Sequence, residues 1–321
     1  MKGRNMKLNI EKFKSKYDLP DEAKFKFNVF NPLVDGIIFA TSILFVPLLI
    51  LIILKFTIKA ENSDEIINTI FSTVQIVCAA IGCFILNKRD NELFSKTNAF
   101  GIYAFIVLPF LFVIILGSLI FVIAGISANN NSIAVQFISI ILQTIAEIAI
   151  AVILLIKLPT LKERIFLTLK NEWKRILVIC ILMTILLSVV SVGLGFLSNG
   201  TKNQEQLENV LHNSSVLVKT FYIILLFIFS VIVAPFVEEL AFRDSIFTGI
   251  GNKWFALVIS ALAFAMVHVS LGDIENIYIY FIPGLVLSAT FIFTEGNVTY
   301  TWLIHAGSNF IALIIMIVGM A

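Results

Sequence analysis

Six predominantly apolar runs of about twenty residues, at 34–54, 66–86, 102–124, 133–158, 176–197 and 217–237, constrain this chain more than any other feature. Each is long enough, at 1.5 Å per residue, to cross ~30 Å of hydrocarbon as a helix. With 59% hydrophobic and only 14% charged residues, the chain departs from the roughly 45–50% apolar and ~25% charged composition of soluble domains. Its apolar surface exceeds what 321 residues can bury against themselves, so lipid must solvate much of it. Three further runs, 255–269, 278–293 and 300–320, are shorter or carry His, Gly and Pro, as befits helices that surround a polar site. The expected fold class is all-α, a polytopic transmembrane helix bundle of eight or nine helices.

The Lys and Arg residues orient this bundle, because basic loops are retained on the cytoplasmic side. With the N-terminus inside, nineteen of the 23 fall in inner segments, and only Lys55, Lys59, Lys202 and Lys219 lie outside. The outer loops SANNNS and GTKNQEQLEN are uncharged, or acidic and polar. The chain thus divides into a basic cytoplasmic segment 1–32, N-terminal transmembrane helices 33–200 and a polar-marked core 217–321. The first thirty residues hold no apolar stretch of the signal-peptide kind. A net charge of only +2 gives no basic field for nucleic acid, and no nucleic-acid-binding motif is present. Cys78, Cys83 and Cys180 lie inside apolar runs without metal or disulfide spacing, and read as small packing residues.

Ionisable groups inside membrane helices are costly and point to function, and here they gather in the last third. Glu238, Glu239 and Arg243 lie in APFVEELAFRDSIF, His268 closes FAFAMVH, and His305 and Asn309 lie in WLIHAGSNF. Glu239 with Arg243, Phe264 with His268 and His305 with Asn309 are all i, i+4 pairs that share a helix face. Pro235, just ahead of the glutamates, is expected to break or kink its helix. These residue types suit water activation: a carboxylate assisted by His removes a proton, while a second His and an Asn steady the oxyanion. They equally suit a divalent metal such as Zn2+ on Glu238, His268 and His305, although no HExxH is present. Any single His or Asn among them also has a structural reading, as a hydrogen-bonding group between helices. In the fourth run, Gln143 and Glu147 read as an interhelical hydrogen-bond pair or a lateral substrate contact, the former favoured.

In this order, about 20 to 40 residues apart, Glu238-Glu239-Leu240-Ala241-Phe242-Arg243, Phe264 to His268 and His305 to Asn309 resemble the EExxxR, FxxxH and HxxxN motifs of the CAAX-protease and bacteriocin-processing (CPBP, or Abi) family of intramembrane proteases. The resemblance covers about a third of the chain, from Leu217 to Ile315. It implies that Glu238 activates the hydrolytic water with His268, that His305 and Asn309 form the oxyanion site, that Glu239 supports Glu238, and that Arg243 holds a carboxylate or orients the helix. Metal use is open at family level, and no other cofactor is implied. Asp244 departs from the family pattern, which has Gly after the Arg, and a local effect on the helix is expected.

The implied function is an intramembrane endopeptidase of the plasma membrane, multi-pass with a cytoplasmic N-terminus, acting on a peptide or membrane-protein substrate. Two other readings compete with it. One is a non-catalytic scaffold or regulator of this family, including bacteriocin self-immunity; the other is a small transporter, disfavoured because no inverted repeat is visible. A geometric tension accompanies the first reading. A helix entering near residue 255 carries His268 ~20 Å deep, whereas Glu238 ends an apolar run close to the surface. A kink at Pro235, a re-entrant segment or a reversed hairpin would bring the two together.

Overall fold

The computed structural model describes residues 17–59, 63–125, 133–197, 201–269 and 273–319. The first half of the basic N-terminal segment, the SANNNS loop and Ala321 lie outside the described residues. Twelve helices make up the described fold, with no strand among these residues: α1 Asp35–Thr57, α2 Ser63–Arg89, α3 Asn91–Lys96, α4 Asn98–Ala124, α5 Ile133–Lys157, α6 Pro159–Asn171, α7 Trp173–Gly195, α8 Lys202–Asn213, α9 Val216–Ile250, α10 Lys253–His268, α11 Ile274–Phe293 and α12 Val298–Val318. Eight of them (α1, α2, α4, α5, α7, α9, α11 and α12) are long and apolar enough to cross a membrane. The ninth apolar helix, α10, has 16 residues and spans ~24 Å, short of the hydrocarbon thickness. The chain is therefore an all-α polytopic bundle.

Alternation of these helices gives the bundle two ends, and cross-links identify which residues share them. Arg89 pairs with Asp35 at 2.6 Å at the end that carries the N-terminal segment, and Lys55 lies 3.7 Å from Glu275 at the opposite end. Two segments that the sequence marks as loops are helices lying across these ends. In α8, Val210 and Leu211 are buried against Tyr222, Ile140 and Leu313, so a polar stretch folds because its few apolar residues fall on one helical face. In α6, Leu161, Arg164, Ile165 and Thr168 are buried in the same way.

The central departure from the sequence reading is α9. Pro235 neither breaks nor ends it; the helix runs for 35 residues, ~52 Å, with π-helical stretches at Phe227–Val233 and Glu239–Ser245. A proline has no N–H and its ring crowds the carbonyl four residues back; the wider π turn before it relieves that crowding, so the helix continues. Its last three turns are fully buried. At Gly251 (φ +68°) the chain turns, and Asn252 caps α10 by accepting from the backbone N–H of Trp254 and Phe255, both at 3.0 Å. A Cβ at Gly251 would lie 2.1 Å from the Phe30 carbonyl oxygen, so glycine is required by both conformation and space. α10 then descends against α11, where Gly284 lets the two backbones approach: a Cβ there would lie 3.1 Å from Ala261 Cα.

Candidate active site

The long α9 brings the motif residues to a common depth. Glu238 lies twelve residues before the end of α9, ~18 Å down the helix, and His268 lies fifteen residues along α10, ~22 Å down. A hairpin of two ordinary antiparallel helices therefore suffices, with no re-entrant segment or reversed hairpin.

Around Glu239 the side chains are sealed and mutually bonded. Its Oε1 lies 2.8 Å from Arg243 Nη1 one turn on and accepts from His305 Nδ1 at 3.0 Å; both Glu239 and Arg243 have 0% side-chain exposure. The Arg243 guanidinium lies over the Phe264 ring, 4.6 Å from its centroid, and Nη2 approaches the Gly284 carbonyl at 3.5 Å. One buried cation thus joins α9, α10 and α11, and its charge is matched by Glu239. Because a carboxylate only accepts, His305 donates from Nδ1 in this contact, which leaves Nε2 directed away from Glu239. That Nε2 points toward Glu238 Oε2 at 3.7 Å, beyond hydrogen-bond length. Glu238, unlike its neighbour, keeps 14% side-chain exposure.

His268 stands across Phe264 from this cluster. The Phe264 ring is 4.6 Å from the His268 ring and 5.6 Å from the His305 ring, centroid to centroid. His268 donates from Nδ1 to the Phe264 carbonyl at 2.8 Å and stacks on Tyr280 at 4.6 Å; no ion pair or hydrogen bond joins it to Glu238. The imidazole nearest Glu238 is that of His305. Phe264, which sequence spacing marks only as an aromatic below His268, is the common wall of the site. Among the described residues no three His, Cys, Asp or Glu side chains come together to hold a metal ion. Glu238, His268 and His305 therefore do not fit a zinc ligand set.

Asn309 is tied to the π turn of α9. The turn ends with Ala234 N–H bonded to Phe229 O, five residues back; in that register Ser230 O would take the N–H of residue 235, which is proline and has none. Asn309 Nδ2 donates to that carbonyl at 2.8 Å. Proline and asparagine are thus complementary parts of one arrangement, one freeing a carbonyl and the other satisfying it.

Asp244 does more than perturb its helix. Fully buried, it pairs with Arg164 of α6 and accepts from Asn98 Nδ2 at 3.0 Å, while the same Asn98 nitrogen donates to Leu240 O at 2.9 Å. Ser245 accepts from the Ile102 N–H at 3.0 Å. These residues fasten the motif helix to α4 and α6, and sequence reasoning missed Asn98 and Arg164 entirely. The available signal was Asp244 itself, an unmatched acid in an apolar stretch. Glu147 is fully buried, and Gln143 bonds it within α5, Nε2 to Oε1 at 3.1 Å, rather than between helices.

Residues 220–311, which hold Glu238, Glu239, Arg243, His268, His305 and Asn309, match the family described as type II CAAX prenyl endopeptidase Rce1-like. An uncharacterized protein of Mycoplasma capricolum is 30% identical over 305 residues, covering 92% of this chain and 90% of that protein. The UPF0177 protein YbdI of Lactococcus lactis is 29% identical over 92 residues, covering 29% of this chain and 49% of its own length. No solved structure matches the chain. Motif order, helical bundle and these relatives together place the chain in the CAAX-protease and bacteriocin-processing (CPBP, or Abi) family.

Proposed function

We propose that the protein is an intramembrane endopeptidase in which Glu238 is the general base. The observation that carries this reading is the contrast between adjacent carboxylates: Glu239 is consumed by Arg243 and His305, whereas Glu238 keeps exposure and faces Nε2 of His305. Water held beside Glu238 would give its proton to the carboxylate while its oxygen attacks the scissile carbonyl carbon. Glu238 would then return the proton to the departing amine nitrogen as the C–N bond breaks, leaving a carboxyl and an amine product. The His305 and Asn309 side chains would steady the oxyanion, and His268 would complete the wall opposite, held in orientation by Phe264 O and Tyr280.

The substrate class is a peptide or membrane-protein segment that reaches this depth within the bundle. In this reading the end that carries the basic N-terminal segment faces the cytoplasm of a plasma membrane, as the positive-inside count of the sequence implies. The test is hydrolysis of internally quenched peptides by the purified full chain in liposomes, one with a prenylated cysteine near its C-terminus and one without. Cleavage of either, lost in Glu238→Gln, supports the reading. No cleavage of these peptides or of co-reconstituted membrane proteins, with a cellular phenotype unaffected by Glu238→Gln, sinks it in favour of a scaffold.

A further inference from the structure

Thr201 belongs to the polar GTKNQEQLEN stretch, outside the residues that match the family, yet it is 3% exposed and stands two contacts from His268. Its hydroxyl shares a 2.8 Å hydrogen bond with the Tyr280 hydroxyl, and the Tyr280 ring stacks on the His268 ring, centroids 4.6 Å apart and planes 27° from parallel. Tyr278, two residues earlier on α11, donates to the Leu197 carbonyl at 3.0 Å. The end of α7 and the start of α8 are therefore both fastened to the first turns of α11.

This linkage matters because of how His268 is held. It is the last residue of α10, and among the described residues its ring makes one hydrogen bond, from Nδ1 to the Phe264 carbonyl at 2.8 Å. A single bond at one ring atom fixes that atom but not the plane of the ring, which packing must set. The Phe264 ring meets it at 44° and the Tyr280 ring at 27°, so Tyr280 is the flatter support. A buried tyrosine is itself held at both ends, by its backbone and by the partner of its hydroxyl. That partner is well anchored: Thr201 Oγ1 also accepts from the Gln204 N–H at 3.3 Å as the cap of α8, within the capacity of one hydroxyl, and α8 is held by its buried Val210 and Leu211. We propose that Thr201 is a positioning residue of the active site, setting the ring plane of His268 through Tyr280 and so making α8 part of the machinery. The proposal rests on the reading of this site as a protease, and its spectroscopic test needs no activity.

The full-length protein carrying isotope-labelled histidine in nanodiscs should give magnetic-resonance signals from three imidazoles, and the one absent in His268→Gln belongs to His268. Thr201→Val, which keeps shape but removes the hydroxyl, and Tyr280→Phe, which removes its partner, should each move that signal, whereas Thr201→Ser should leave it in place. In a Tyr280→Phe background Thr201→Val should move it no further, since both act through one bond. Peptide hydrolysis by Thr201→Val should lose about two- to tenfold in kcat, the worth of one neutral hydrogen bond, with KM unchanged because Thr201 does not touch substrate. A residue that only capped α8 would lower the melting temperature without moving the His268 signal. A signal unmoved in Tyr280→Phe, an effect of Thr201→Val undiminished in that background, or an unchanged kcat in Thr201→Val overturns the proposal; the first result does not depend on Thr201→Val folding, because Tyr280→Phe leaves the α8 cap intact. If the signal responds as expected while the unsubstituted protein cleaves no peptide, the positioning stands and only the protease reading falls.

Discussion

At the scale of single residues, the two adjacent glutamates should behave as different kinds of group. Glu238→Gln keeps shape and leaves the Arg243–Glu239 ion pair intact, so its thermal unfolding in detergent should be unchanged while hydrolysis falls ~10²–10⁴-fold. Glu239→Gln leaves the Arg243 guanidinium buried without a counter-charge, a change expected to cost about 3–5 kcal/mol, so its defect should appear first in the melting temperature. A pattern reversed between the two would exchange their roles. Asp244 is a second buried anion with a committed partner. Asp244→Gly, which installs the residue usual in the family, should destabilise by a similar ~3–5 kcal/mol because Arg164 is stranded, and adding Arg164→Leu should recover much of it. The EExxxR spacing made Arg243 legible from sequence, since i, i+4 groups share a face. Arg164 was not legible: its partner lies 80 positions away, and a lone Arg in a polar loop looks like any solvated charge.

At the scale of elements, α9 shows why hydropathy located the helices but misplaced an end. A window of apolar residues stops where polar ones begin, so the run at 217–237 closed just before the glutamates. Burial on all sides, which the window cannot see, lets the helix carry Glu239, Arg243, Asp244 and Ser245 for three more turns. Likewise, Pro235 read in isolation is a breaker, and only the facing helix supplies the Asn309 donor that satisfies its freed carbonyl. This pairing makes a stability prediction separable from catalysis. Asn309→Ala should cost ~1–3 kcal/mol, because Ser230 O is left without a partner; in a Pro235→Ala background the new N–H can take that carbonyl, and the cost should shrink. Unfolding measured across the double-mutant cycle checks it, with additive effects counting against the arrangement. Activity should not be restored in the double variant, since the asparagine amide is still missing.

For the whole molecule, the sequence made the bundle visible because period-free apolar runs need no tertiary information, whereas the site needed the fold. The core that surrounds it draws Phe39, Phe71 and Ile150 from the first half of the chain against Val237, Phe264 and Phe291 from the second, contacts that no local pattern announces. The N-terminal segment joins that core too. Phe25 meets Phe291 edge to face, centroids 5.0 Å apart, and lies under the Arg164 guanidinium, and Gly296 (φ +78°) leaves room for it, since a Cβ there would sit 2.4 Å from the Phe25 ring. This segment and the turns at Gly251 and Gly296 therefore share one end of the bundle. Counting the short α10, the described helices run between the two ends of the bundle nine times, and Val318 finishes at the end that holds Lys55, Glu275 and α8. If the basic end is cytoplasmic, a reporter active only outside the cell should work when fused after residue 319 and fail when fused at Asn252, and a cytoplasm-restricted reporter should show the inverse. Activity of the external reporter at Asn252 would reverse the bundle. An internal signal at both sites would mean that α10 does not separate two compartments, and Glu238 and His268 would then have to meet by a different path through the membrane.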